Sequence, residues 1–135
     1  MPRSLIFVGS RDTRDRATRI GAARIAVGAS MFMPRPLARR IAGLTEAEAS
    51  GTLAFLGRAF GVRNVVLGAW VLATRDQPKH ERRRVYQVNA AVDAADMAIL
   101  AWAAVTQRPS KRFMLLASTL GTNVCLGFLQ LASEV

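Results

Sequence analysis

The sequence predicts an all-α protein, a four-transmembrane-helix bundle with a short amphipathic segment between helices 1 and 2. Hydrophobic residues make up 51% of the 135 residues and aromatic residues only 7%, so good helix formers such as Ala, Leu and Met dominate the apolar content. No segment has the strict apolar–polar alternation that indicates a strand. The apolar residues also form blocks of about 20 residues, the length that a helix needs to cross the roughly 30 Å core of a bilayer.

Four such blocks predict four helices in a single integral membrane domain that covers residues 1–135. The fourth block contains no charged residue, whereas the first contains Arg24 and has an apolar part that is short for a span. The predicted helices cover approximately residues 17–33, 53–73, 85–105 and 113–132.

The segment after the first block predicts a short amphipathic helix at the membrane surface. Pro34 is expected to stop the first helix, because proline lacks an amide hydrogen and clashes with the preceding turn. The following "LARRIAGL" sets arginines beside leucine and isoleucine, which suits the level of phosphate headgroups. Thr45 and Glu48 have the spacing of a capping box that would begin a further short helix.

The distribution of Lys and Arg between the blocks predicts the orientation. The net charge is +10, and of the 19 Lys and Arg residues ten lie in the amino-terminal stretch, the connection between helices 2 and 3 and the carboxyl tail. Six lie in the other two connections. Because cytoplasmic loops carry the excess of Lys and Arg, we expect a multi-pass protein of the inner (plasma) membrane with both termini cytoplasmic.

A soluble helical bundle that binds nucleic acid is the alternative. The positive charge and the modest mean hydropathy of +0.20 favour it. A soluble bundle, however, needs a polar stripe on the outer face of each helix, and the fourth block has none. The lipid bilayer is therefore the expected partner, and nucleic acid is not.

Two aspartates inside the third block predict a polar face on that helix. At about 100° per residue, Asn89, Asp93 and Asp96 lie on one side of a helix. A charged face cannot point toward lipid, so it must turn toward the other helices and find partners there.

Three arginines inside the apolar blocks are the candidate partners of these aspartates. A guanidinium group can bind a carboxylate bidentately. We expect Asp93 and Asp96 to pair with Arg58 or Arg63, with Arg24 as a further partner. Such pairs would fix the packing of the helices; they could instead contact an anionic lipid headgroup or form an ion or proton path.

Small residues in the second block predict a face for close helix packing. Gly57, Gly61 and Gly68 lie on one side of that helix, together with Asn64, which we add to the polar network. Small residues at this spacing let helix backbones approach closely in lipid.

No motif in the sequence predicts catalysis, a metal site or a cofactor. "DAAD" resembles the metal-binding aspartates of the CDP-alcohol phosphotransferases, but Met97 follows where that family has Gly, and no second pair of acids comes after it. Two carboxylates make a poor Mg²⁺ site, and arginines are close at hand. Cys125 is the only cysteine and is expected to be a small buried side chain.

Taken together, the blocks resemble a family of small actinobacterial four-helix integral membrane proteins of unknown function, DoxX-like in general architecture. The resemblance rests on an Arg ahead of a Pro in helix 1, on the core "RAFGVRNVVLG" in helix 2 and on "DAAD" in helix 3. It departs at Asn64, where the family pattern has Asp. It implies a shared polar core formed by Arg24, Arg58, Gly61, Arg63, Gly68, Asp93 and Asp96.

The expected function is that of a non-enzymatic accessory or assembly subunit of a larger inner-membrane transport or cell-envelope complex. Almost the whole chain is assigned to helices, so only flanks and loops are left for a partner. The alternative within the membrane is a small lipid-binding or transport bundle that uses the Arg and Asp residues, with anionic lipid as its ligand.

Overall fold

The computed structural model describes residues 4–135, apart from the side chain of Thr52, and the regular structure in this range is entirely helical. The all-α class is therefore confirmed for the described residues. After a 3-10 turn over Leu5–Phe7 come five helices, which are α1 (Thr13–Ser30), α2 (Arg35–Ala42), α3 (Gly51–Thr74), α4 (Lys79–Thr106) and α5 (Lys111–Glu134).

Local capping sets where several of these helices begin and end. The Asp12 carboxylate accepts a hydrogen bond from the amide of Arg14 at 3.2 Å at the start of α1. The Ser110 hydroxyl accepts from the amide of Phe113 at 3.1 Å at the start of α5. Gly43 ends α2 with a φ of +66°, a left-handed conformation that glycine adopts without strain.

Two sequence-predicted features differ in detail. Helix α4 begins at Lys79, earlier than residue 85, because the basic stretch before the apolar block consists mainly of good helix formers. Thr45 and Glu48 do form reciprocal hydrogen bonds, from the Thr45 amide to the Glu48 carboxylate at 2.7 Å and from the Glu48 amide to the Thr45 hydroxyl at 3.3 Å. The segment that follows is a turn rather than a short helix.

Three helices are long and apolar enough to cross a membrane, not four as predicted. They are the Leu53–Thr74 part of α3, together with α4 and α5, and they indicate a membrane protein. Helix α1 falls short because its 18 residues include Arg14, Asp15, Arg16, Arg19 and Arg24.

The four long helices form two antiparallel pairs. Helix α1 packs along α3, and α4 packs along α5, whereas contacts between the two pairs, from α1 to α5 and from α3 to α4, are fewer. Helix α2 touches only the start of α5. The bundle therefore consists of two tight helix pairs with a weaker boundary between them.

The apolar core occupies one end of this bundle, which we call the packed end. It lies between the first half of α1, the end of α3, the first half of α4 and the second half of α5, and includes Ile20, Val71, Val85, Phe128 and Leu131. Toward the other end, which we call the open end, α4 has no buried side chain after Asp93 and α5 has none before Val124. The two helix pairs are thus joined mainly at the packed end.

Candidate functional site

An ion pair between Arg24 and Asp93 connects the two helix pairs in the interior. Nη1 of Arg24 donates to both carboxylate oxygens of Asp93, at 2.7 and 2.8 Å. The two side chains are only 1% and 8% exposed, so the pair is shielded from the surroundings. Because α1 and α4 are not direct neighbours in the bundle, these long side chains meet across its centre.

The Phe128 ring on α5 completes the surroundings of Arg24. The guanidinium carbon of Arg24 lies 5.5 Å from the centre of this ring. The Tyr86 ring packs against the Phe128 ring in a tilted arrangement, with a distance of 6.4 Å between the two ring centroids. A cation over an aromatic face is stabilised by the ring quadrupole, more so when it is buried. Aromatic and carboxylate groups together therefore hold the buried cation.

A second ion pair, between Arg63 and Asp96, lies at the edge where α3 meets α4. The Arg63 guanidinium donates to the Asp96 carboxylate, and its side chain is 41% exposed while that of Asp96 is 21% exposed. The Arg63 guanidinium also lies 4.8 Å from the centre of the Phe60 ring. This pair faces outward, unlike the first one.

The structure selects among the pairings predicted from the sequence, which offered Arg58, Arg63 and Arg24 to the two aspartates. Asp93 pairs with Arg24 rather than with Arg58 or Arg63, and only Asp96 pairs with Arg63. Arg58 is exposed on α3 and makes no ion pair with the described part of the chain. The physical reason is geometric, since Arg58 and Arg63 point to different sides of one helix and a single helix face cannot present both.

The two asparagines of the predicted network bond within their own helices. The Asn64 amide donates to the carbonyl of Phe60, and the Asn89 amide donates to the carbonyl of Val85, each at 2.9 Å. Both side chains are buried. Neither asparagine donates to an ion pair, so the two ion pairs, one buried and one at the edge, are separate rather than parts of one continuous network.

Several buried polar atoms have no hydrogen-bond partner within residues 4–135. Two belong to Arg24, namely Nε and Nη2, and the others nearest in sequence to Asp93 are the Tyr86 hydroxyl and Oδ1 of Asn89. Tyr86, Asn89 and Asp93 follow one another at intervals of three and four residues and share one face of α4. This face of α4 therefore carries a hydroxyl group and an amide oxygen that the ion pair does not use, and Nε and Nη2 of Arg24 on α1 add two further donors.

Glycines bring α1 and α3 into close contact. A Cβ built on Gly28 would lie 2.5 Å from the carbonyl oxygen of Gly61, and one built on Gly68 would lie 2.7 Å from that of Gly21. Any side chain there would force the backbones apart. Gly57, by contrast, has no atom within 4 Å of such a Cβ, so the predicted packing face does not extend to it.

Three residues that contact the glycines of α3 or Arg24 were not predicted from the sequence, namely Gly21, Gly28 and Phe128. Gly21 and Gly28 have the same seven-residue spacing as Gly61 and Gly68, which is the signal that could have found them. Phe128 has no such signal, because its role depends on how α5 is placed against α1.

Both carboxylates in the helix interior are occupied by guanidinium groups. Within residues 4–135 there is also no group of three His, Cys, Asp or Glu side chains placed to hold a metal ion. Chemically, the arrangement neutralises charge and fixes the register of α1, α3 and α4. Comparisons with family models, with curated proteins and with solved structures found no match to the chain, so the family resemblance stays a prediction.

Proposed function

We propose that this chain is a non-enzymatic multi-pass protein of the inner membrane that acts as an accessory or assembly subunit of a larger transport or cell-envelope complex. The engagement of Asp93 and Asp96 by arginines supports a structural role for these acids, since a carboxylate paired with a guanidinium is not free to bind metal or move protons, and the Asp93 pair is also buried.

We further propose that α1 crosses the bilayer beside α3 as a fourth span. Its composition alone is too polar, but the glycine contacts place it along α3 and Asp93 neutralises its central cation, Arg24. Its other charged residues lie in its first two turns, between Arg14 and Arg19, where they can reach the headgroup region. An even number of spans then puts both termini on the same side, and the excess of Lys and Arg makes that side the cytoplasm.

The position of Arg58 is the observation that supports a partner subunit. It lies on the outer face of α3 among Phe55, Val62 and Val66, which are 67%, 53% and 60% exposed. Arg58 lies within the first two turns of the Leu53–Thr74 span, where a lipid-facing guanidinium must either extend to the headgroup level or find a partner. A carboxylate on a helix of another subunit would accept its hydrogen bonds and fix the docking position.

Native mass spectrometry after gentle detergent extraction from the native cells tests this proposal. We expect the tagged wild-type chain to retain a heavier heterologous subunit, Arg58→Leu to lose it, and Arg58→Lys to keep part of it. Arg11→Leu is the matched control, because Arg11 is also exposed but lies outside the helices. Recovery of the wild-type chain only as a monomer or homo-oligomer would refute the proposal, as would equal loss in both leucine variants.

A small lipid-binding or transport bundle is the second candidate function. The buried polar atoms of Arg24, Tyr86 and Asn89 that lack a partner within the described residues favour it, because they could bind a polar ligand. Under this proposal the extracted protein would be a homo-oligomer that carries copurified anionic lipid. A chain that stays soluble without detergent would contradict both candidates.

A further inference from the structure

The open end of the bundle carries a basic surface made from two connections that are distant in sequence. The Ser110 hydroxyl donates to the carbonyl of Ala42 at 3.0 Å, and Nη1 of Arg112 donates to the carbonyl of Arg40 at 2.9 Å. These bonds hold the end of α2 against the start of α5. Six cations lie on α2, at the start of α5 or just before it, and we call them the basic platform: Arg35, Arg39, Arg40, Arg108, Lys111 and Arg112.

The cations of the basic platform make no ion pair with any acid in the part of the chain that the structure describes. The packed end differs, because there Arg14 pairs with Asp76 at 2.7 Å and Arg16 pairs with Glu134 at 2.5 Å. Near the platform, the carboxylate of Glu48 already accepts from the amide of Thr45. The charge of the platform is therefore available to an external anion.

Apolar side chains accompany these cations on α2. Leu37 and Ile41 lie one turn apart on the same side of the helix, and each is 47% exposed. Arg39 and Arg40, with Pro36 and Leu44, line a shallow surface cavity of about 370 Å³. The cavity thus combines two guanidinium groups with the apolar side chains of Pro36 and Leu44, and Leu37 and Ile41 are exposed on another side of the same helix. A ligand that fits α2 has an anionic group for the guanidinium groups and an apolar chain for the exposed leucine and isoleucine.

We propose that the basic platform binds the phosphate of an anionic phospholipid, with Arg39 and Arg40 contacting the phosphate and Leu37 and Ile41 contacting the acyl chains. Arginine forms bidentate hydrogen bonds with phosphate oxygens, and basic clusters at a membrane surface attract anionic headgroups. Arg112 acts as a positioning residue, since its bond to the carbonyl of Arg40 holds α2 in place. This site is independent of Arg58 and of any partner subunit.

Lipid retention by the purified protein tests the proposal. Native mass spectra would be recorded after addition of phosphatidylglycerol or phosphatidylcholine. We expect the wild type to prefer phosphatidylglycerol and the double variant Arg39→Gln/Arg40→Gln to bind it at least about tenfold more weakly, as two lost surface charges imply. Arg83→Gln/Arg84→Gln is the control, because it removes the same charge from exposed positions at the packed end.

A second double variant tests whether the site recognises the acyl chains of the lipid as well as its phosphate. Leu37→Ser/Ile41→Ser is expected to weaken retention of long-chain phosphatidylglycerol while leaving the basic charge intact. Equal weakening by the two glutamine variants would overturn the proposal, as would equal retention of the two lipids. Displacement of the lipid by millimolar inorganic phosphate would also overturn it, because the site would then recognise phosphate without the membrane.

Discussion

Nη1 of Arg24 on α1 donates to both carboxylate oxygens of Asp93 on α4, and both side chains are almost fully buried. The other ion pair, between Arg63 and Asp96, is considerably more exposed. The two pairs have the same chemistry in different surroundings. Equivalent substitutions in them should therefore have unequal effects.

We expect both Asp93→Asn and Asp96→Asn to destabilise the protein, and Asp93→Asn to do so more strongly. Loss of the Asp93 charge leaves Arg24 buried without a counter-ion, which costs about 3 to 5 kcal/mol. Loss of the Asp96 charge leaves Arg63 without a counter-ion on the outer side of α3, where a guanidinium costs about 2.5 to 3.5 kcal/mol at a helix centre and its partial exposure lets it reach other polar groups. Unfolding of the purified protein by SDS in mixed micelles measures the difference.

A paired replacement provides the control for this experiment. Arg24→Met combined with Asp93→Leu removes both charges and should recover much of the stability, because an apolar pair of similar volume often replaces a buried ion pair without loss. If Asp93→Asn accumulates normally while an associated transport activity disappears, Asp93 serves a ligand or a proton rather than the fold.

Alanine at Gly28 should separate α1 from α3. The new Cβ would meet the backbone of Gly61, which cannot move aside as a flexible side chain can. We expect a loss of about 1 to 3 kcal/mol, the usual cost of overpacking. Gly57→Ala is the matched control and should be neutral or slightly stabilising, because its Cβ would meet nothing within 4 Å and alanine favours helix. Equal melting temperatures for the two variants would argue against the close approach.

We expect the Phe128 ring to contribute more to the free energy of unfolding than the burial of its apolar surface alone would. Phe128→Leu removes the aromatic face beside Arg24 and the contact with Tyr86 while keeping an apolar side chain. We expect a loss of about 2 kcal/mol, as for a cation–aromatic contact away from water. Phe113→Leu, at a 36% exposed position, should have little effect in the same thermal unfolding measurement. A similar loss in both variants would show that Arg24 gains nothing from the ring.

Labelling from one side of the membrane distinguishes four spans from three. In a Cys125→Ser background, Arg11→Cys and Ser133→Cys would be treated with a membrane-impermeant maleimide in intact cells and in inverted vesicles. Four spans predict that both positions react only in the inverted vesicles. Opposite accessibility of the two cysteines would place α1 outside the bilayer. Reaction of both in intact cells would reverse the orientation alone.

The sequence sufficed to predict the helices, because length, apolar composition and proline positions determine them locally. It also identified the interior aspartates, since a charged face on an apolar helix is visible from spacing alone. It could not predict which arginine meets which aspartate. Arg24 reaches Asp93 only because α1 and α3 approach at glycines and α4 is placed opposite, and these are properties of three helices together.

The prediction that α1 is a fourth apolar span is wrong, because α1 contains five charged residues. The hydropathy of α1 counts Arg24 as a full charge, whereas the free-energy cost of burying Arg24 depends on the Asp93 carboxylate, which α4 supplies. The sequence also could not predict that the apolar core lies at the packed end, because the apolar residues at the open end of α4 and α5 are as hydrophobic as those at the packed end.

The glycine contact between α1 and α3 constrains how a ribosome can deliver this chain to the membrane. Helix α1 is synthesised before the glycines of α3 and before Asp93, the residue that neutralises Arg24. Until Asp93 is present, Arg24 is an unpaired cation in α1, and this makes insertion of α1 alone into lipid unfavourable. On the proposal that α1 is a fourth span, the smallest segment that enters the bilayer from the amino terminus is the α1–α3 hairpin, and Arg24 has no counter-ion until Asp93 on α4 has been synthesised.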